Sequence, residues 1–109
     1  MVGASDPSLN GDRLLEMLAA LASAPRLRII AALQARGRNY ISQLARELGI
    51  SRPLLHLHLQ KLEAAGLVTS TLELSSDGKA LNYFELTAFA LALTPESIAS
   101  AAKTLTAKA

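Results

Sequence analysis

The stretch ISQLARELGISRPLLHLHLQKL, residues Ile41–Leu62, decides the fold. Ala45 is small, as a residue must be where two helices cross closely. Gly49, four residues on, supplies the left-handed conformation that ends a helix. Ser51 can then cap the next helix, and Pro53 falls in its first turn, where a missing N–H costs nothing. Leu55, ten residues after Ala45, is spaced to pack the second helix onto the first. This is helix-turn-helix spacing. Its first helix, over residues 41–48, buries Ile41, Leu44, Ala45 and Leu48; its second continues to Ala65 and stops at Gly66. At 100° per residue, Leu55, Leu59 and Leu62 share one face of that second helix and must be core. A helical hairpin with no nucleic-acid role has the same turn, so spacing alone leaves function open.

Working outward, Asp6-Pro7 or Asn10 can cap a first helix over about residues 7–22. Ser23 followed by Pro25 starts another, over about 25–35, expected to bury Leu27, Ile30, Ala31 and Leu33 and to display Arg26 and Arg28. RGRN (36–39) breaks it. Downstream, LVTSTLEL (67–74) and LNYFEL (81–86) read as strands, and Asp77-Gly78 between them is a hairpin signal. TAFALAL (87–93) is either a third extended piece or a buried connection. Thr94-Pro95-Glu96 starts a last helix, over about 95–107. The expected fold is mainly α with a small antiparallel β wing: a winged helix-turn-helix of about five helices and a two- to three-stranded sheet. One domain spans residues 1–109, with the helix-turn-helix at about 41–65 and the wing at about 67–86.

Composition agrees. Of 109 residues, 22 are Leu and 20 are Ala, both strong helix formers, and the length suits one core. There is no Cys, which excludes disulfides, thiolate zinc sites and thiol chemistry. No apolar run reaches the ~18 residues of a membrane span, and MVGASDPSLN lacks the basic and apolar segments of a secretory signal. No membrane association and a cytoplasmic location are expected. With two His and scattered carboxylates, no base–nucleophile constellation can be placed on one surface, and no Gly-rich phosphate loop exists; an enzyme is not expected. Asp12 and Glu16 fit the start of the first helix electrostatically.

The net charge of +2 conceals a strong asymmetry. Residues 25–61 hold six Arg and Lys61 against Glu47 alone, a net +6, while each flank is −2. Arg suits forked contacts with phosphate or guanine. Around the second helix of the motif, the face opposite its core carries Pro53, Leu54, Leu57, Gln60, Lys61 and Ala64. Arg52 is assigned a base or backbone contact, Gln60 a base edge, and Lys61 a phosphate. Ser51 sits at the helix N-terminus, where N–H groups favour phosphate. His56 lies on the flank and can donate to phosphate or a base. Arg36, Arg38 and Arg46 add grip, and Lys79 marks a wing tip weakened by Glu73 and Asp77.

The chain resembles the ArsR-type winged-helix transcriptional repressors over about residues 12–86. LASAPRLRIIAAL matches the entry to the family's second helix, ISQLARELGISRP its helix-turn-helix entry, HLQKLEAAGLV the end of its recognition helix, and NYFEL its second wing strand. MarR-type regulators share parts of this but carry more helix at both ends. The resemblance implies a homodimeric repressor on inverted-repeat double-stranded DNA, released by an effector whose nature, small molecule or protein, the chain does not reveal. The first and last helices are the expected dimer interface, through Leu14, Leu15, Met17, Leu18, Leu21, Ile98, Ala101, Ala102 and Leu105. A twofold dimer also follows from matched half-sites ~34–36 Å apart, which need two recognition helices.

Two departures stand out. The family's common metal site places paired Cys where this chain has Tyr40-Ile41-Ser42-Gln43, and the last helix has neither His nor Asp. His56 and His58 point about 200° apart on a helix and cannot share an ion, so no metal and no cofactor is expected. Leu54 and Leu57 replace polar residues usual in the family. They either meet thymine methyls or form an apolar face for a protein partner, which defines the alternative function, a protein-binding winged-helix module.

Overall fold

Asn10 opens the first helix: its side-chain oxygen accepts the Arg13 N–H at 2.8 Å, and α1 runs Gly11–Leu21. The computed structural model describes residues 9–106. The expected start near residue 7 is corrected to Gly11, since residues 9 and 10 are not helical and residue 7 lies outside the described residues. Ser23 caps α2 (Ala24–Arg36) by accepting the Arg26 N–H. β1 (Asn39–Tyr40), α3 (Ile41–Leu48) and α4 (Arg52–Ala64) follow. Gly49 ends α3 at φ 69° and ψ 32°, the left-handed region that glycine enters without a Cβ clash. Ser51 caps α4, as its sequence position requires.

The core forms where these helices meet the sheet. Ile29, Leu44, Leu55, Leu59, Leu62, Leu67 and Val68 are fully buried, with Phe84 closing one side. Each fully buried aliphatic side chain contributes about 1.5–3 kcal/mol. The three leucines expected at the core of α4 are all there. The face of α2 differs from expectation. Ile29 and Leu33 are buried, whereas Leu27 is 53% exposed and Ala31 is also on the surface. Leu27 lies about 200° around the helix from Ile29 and so faces outward, while Arg26, expected outside, lies on the inner side and bonds the end of α1.

The wing is the antiparallel hairpin β2 (Val68–Leu74) and β3 (Ala80–Leu86), joined by a turn in which Gly78 N–H donates to the Ser75 carbonyl. Its third strand is β1, giving the order β1-β3-β2 with Asn39 opposite Phe84. Residues 87–93 form no strand but a connection that is only partly buried: Phe89 and Leu91 pack against the core, while Leu93 is 48% exposed. Ser70, Leu72 and Leu74 share the sheet face of Phe84, but the strands outrun the core. Leu72 and Leu74 stand 69% and 76% exposed on a molecule 51 Å long.

α5 (Pro95–Ala102) opens with a capping box in which Thr94 and Ser97 each accept the other's backbone N–H. It ends earlier than the expected residue 107. The N–H groups of Lys103, Thr104 and Leu105 bond carbonyls three residues back, and residue 107 is outside the described residues. That tightened end docks on α1. Gly11 N–H donates to Thr104 Oγ1 at 2.7 Å, and both the N–H and hydroxyl of Thr106 donate to Asp12. A Cβ on Gly11 would lie 2.5 Å from the Ala101 carbonyl oxygen, so only glycine permits this approach. Leu14, Met17 and Ala101, expected at a subunit interface, are buried inside the chain itself.

Candidate nucleic-acid interface

The turn between α3 and α4 is an open groove lined by Ser42, Arg46, Gly49, Ser51 and Arg52. It brings together three residues of the expected DNA-binding set: Arg46 from α3, and Ser51 and Arg52 from the start of α4. The Ser51 hydroxyl is engaged with the Leu54 N–H at 3.3 Å, so Ser51 is first a cap. From there the exposed face of α4 presents Arg52, Pro53, Leu54, His56, Leu57, Gln60 and Lys61. Leu54 and Leu57 are 44% and 56% exposed, while Leu55, Leu59 and Leu62 behind them are fully buried. Among the described residues no carboxylate pairs with Arg46, Arg52 or Lys61. These cations are available to an anion without first giving up a partner.

Arg36 and Arg38 are placed differently. Arg36 Nη1 lies 3.0 Å from Glu47 Oε2, an ion pair between α2 and α3. Arg38 forks onto both carboxylate oxygens of Glu73, with Nη2 to Oε1 at 3.0 Å, and its guanidinium stacks 4.2 Å from the Tyr83 ring centroid. Tyr40 meets Tyr83 edge-on at 5.6 Å. The hydrogen bond from Arg38 holds the Glu73 carboxyl below the usual carboxylate range. The basic segment thus divides into cations committed to carboxylates and cations left open, with Lys79 exposed at the wing tip. There Asp77 accepts the Ser75 hydroxyl and the Lys79 N–H, which together hold its carboxyl low.

One position outside the expected set supports the recognition helix from behind. Arg26 donates from Nε to the Ala20 carbonyl at 2.6 Å and from Nη2 toward Ala19, satisfying carbonyls at the end of α1. Its Nη1 also meets His58 Nδ1 at 3.1 Å. Burial, then Arg26, then Lys61 lower the His58 pKa below the ordinary histidine value, so the imidazole is neutral and accepts. Arg13 similarly reaches the Ala65 carbonyl at the end of α4. Nothing in the linear pattern marks Arg26 as different from Arg28, because its partners come from other helices. Among the described residues no three His, Asp or Glu side chains gather as a metal cage, and no helix is long and apolar enough to cross a membrane.

Residues 23–70 match the model of the bacterial regulatory protein family arsR. An uncharacterised HTH-type transcriptional regulator of Methanocaldococcus jannaschii is 43% identical over 61 residues, which cover 56% of this chain and 63% of that protein. The match thus spans under two thirds of the relative's length. Among solved structures, a homodimeric winged helix-turn-helix DNA-binding domain of Mycobacterium bovis superposes with TM-score 0.61 at 27% identity, covering 69% of this chain and 64% of that one. A transcriptional regulator homologue of Pyrococcus horikoshii gives TM-score 0.57 over 85% of this chain and 86% of its own; at 22% identity it bears on the fold alone. Residues 23–70, from the cap of α2 into β2, are thus similar to the bacterial ArsR regulatory family, and the chain carries that helix-turn-helix in a winged-helix fold.

Proposed function

We propose that this chain is a sequence-specific double-stranded DNA-binding transcriptional repressor, a homodimer on an inverted-repeat operator, acting in the cytoplasm without metal, cofactor or catalysis. The observation that carries it is the exposed face of α4, framed by the unpaired Arg46, Arg52 and Lys61 and built on a helix-turn-helix. Such a face suits the major groove, with cations at phosphates and Gln60 at a base edge. Arg36, Arg38 and Lys79 supply secondary phosphate contacts, and His56 a flanking donor.

The twofold partner takes the surface that α1 and α5 leave open, namely Leu15, Ile98, Ala102 and Leu105, with the half-buried Leu18 and Leu21 at its edge. The homodimeric state of the Mycobacterium bovis domain supports this. The whole chain acts as one winged-helix domain, flanked by its dimerisation helices, and an effector acts through them. Light scattering at micromolar concentration is expected to give twice 11.5 kDa; a clean monomer refutes the dimer.

A second reading is favoured by the exposure of Leu54 and Leu57: a winged-helix module that binds protein through this face. A mobility shift with random duplex DNA separates the two. Binding at ~50 mM salt supports the DNA reading, and its absence supports the protein one.

A further inference from the structure

We infer that Leu54 and Leu57 read thymine methyl groups, so that apolar contacts to thymine, more than hydrogen bonds to purine edges, set the sequence preference of each half-site. This rests on the DNA-binding reading above and deepens it.

α4 has five leucines in its first eleven residues, and they divide sharply. Leu55 and Leu59 are fully buried and Leu62 continues their stripe, whereas Leu54 and Leu57 are about half exposed. One helical turn apart, those two occupy the same outer face, and Leu57 falls almost opposite the buried stripe, near the centre of the surface a groove would receive. An isolated exposed leucine needs no explanation, but two adjacent ones at that centre do.

Their electrical surroundings identify the occupant. Arg52 precedes the pair, Lys61 follows it, and Arg46 stands across the turn. The first carboxylate of α4 is Glu63, and it accepts a 2.9 Å hydrogen bond from the Ser70 hydroxyl on β2. An apolar centre with a cationic rim and no acid complements a polyanion that displays apolar groups within a groove. In duplex DNA the C5 methyl of thymine, in the major groove, is such a group. Leucine makes no hydrogen bond, so its discrimination between thymine and the other bases must come from that methyl.

The test uses duplexes that the full chain selects from a randomised pool, resynthesised with deoxyuridine at each thymine in turn. Uracil keeps both hydrogen-bonding edges and loses only the methyl. At one or two thymines per half-site the loss is expected to weaken binding about fourfold, the worth of one buried methyl. Leu57→Ala, on the surface and therefore neutral for folding, is expected to abolish the difference at one of those thymines and leave the salt slope unchanged. If uracil is tolerated everywhere while selection and salt dependence persist, methyl reading is overturned and DNA binding stands. If no duplex is selected even at ~50 mM salt, both fail, and the leucine pair belongs to an acidic protein partner.

Discussion

Arg26 Nη1 lies 3.1 Å from Nδ1 of His58, joining the start of α2 to the recognition helix α4 while the same guanidinium holds the end of α1. Arginine keeps its proton at every accessible pH, so this contact requires a neutral imidazole. The groups facing His58 are Arg26 and Lys61, both cationic, and they add to burial in lowering its pKa.

A pH dependence follows with a definite sign. Above the unfolded-state value near 6.5 both states are neutral at His58 and stability is unaffected. As pH falls below it, the unfolded chain binds a proton that the folded chain resists, so stability drops until the lower folded pKa is reached. Thermal melts between pH 7.5 and 5 are expected to show Tm falling in the wild type and a flatter profile in His58→Gln. An unchanged slope in the variant refutes this role. Glu73 and Asp77, with lowered pKa values, act separately: their contributions are present above pH ~4.5 and are lost as pH falls through their folded values.

Glu73 occupies the fork of Arg38 in the way a phosphate would. Glu73→Gln is expected to free that cation at the base of the wing, tighten binding to duplex DNA and steepen its salt slope by about one. Identical slopes for variant and wild type would place Arg38 away from the DNA.

Two glycines do different work. Gly49→Ala keeps its surroundings clear and loses only the left-handed conformation, an expected cost of about 1 kcal/mol. Gly11→Ala meets a backbone oxygen, which cannot swing aside, and must push the end of α5 away from α1. Denaturation should find Gly11→Ala the more damaging, although alanine is the better helix former. Equal losses would contradict the close α1–α5 contact.

Leu59→Ala removes a fully buried side chain from the core face of α4, and is expected to cost about 2–5 kcal/mol in chemical denaturation. A loss below 1 kcal/mol would mean the core relaxes around the gap.

Legibility in the sequence followed the range of the interactions. The α3–Gly49–α4 turn is local: Ala45, Gly49, Ser51 and Leu55 each carry their role within a few residues, and each stands where its spacing predicts. α2 was harder because Leu27, Ile29, Ile30 and Leu33 allow more than one buried face. The buried face includes Arg26, whose partners lie on α1 and α4. β1 has two residues and thus no period, and its partner Phe84 is far along the chain. The candidate interface shows the same division. The exposed residues of α4 follow from helical geometry, whereas the pairing of Arg38 with Glu73, 35 residues away, does not. Leu72 and Leu74 alternate like inward-facing strand residues, and nothing local marks where the core beneath them ends.

The central claim is that the open face of α4 binds duplex DNA through its unpaired cations, and the salt dependence of that binding tests it most directly. The logarithm of the binding constant should fall linearly with the logarithm of salt concentration. Lys61→Ala should weaken all sequences alike and lower the slope by about one, while Arg52→Ala should cost roughly 1–3 kcal/mol on the preferred sequence. Binding that ignores salt, or that survives both substitutions unchanged, would contradict the assignment of this face to DNA.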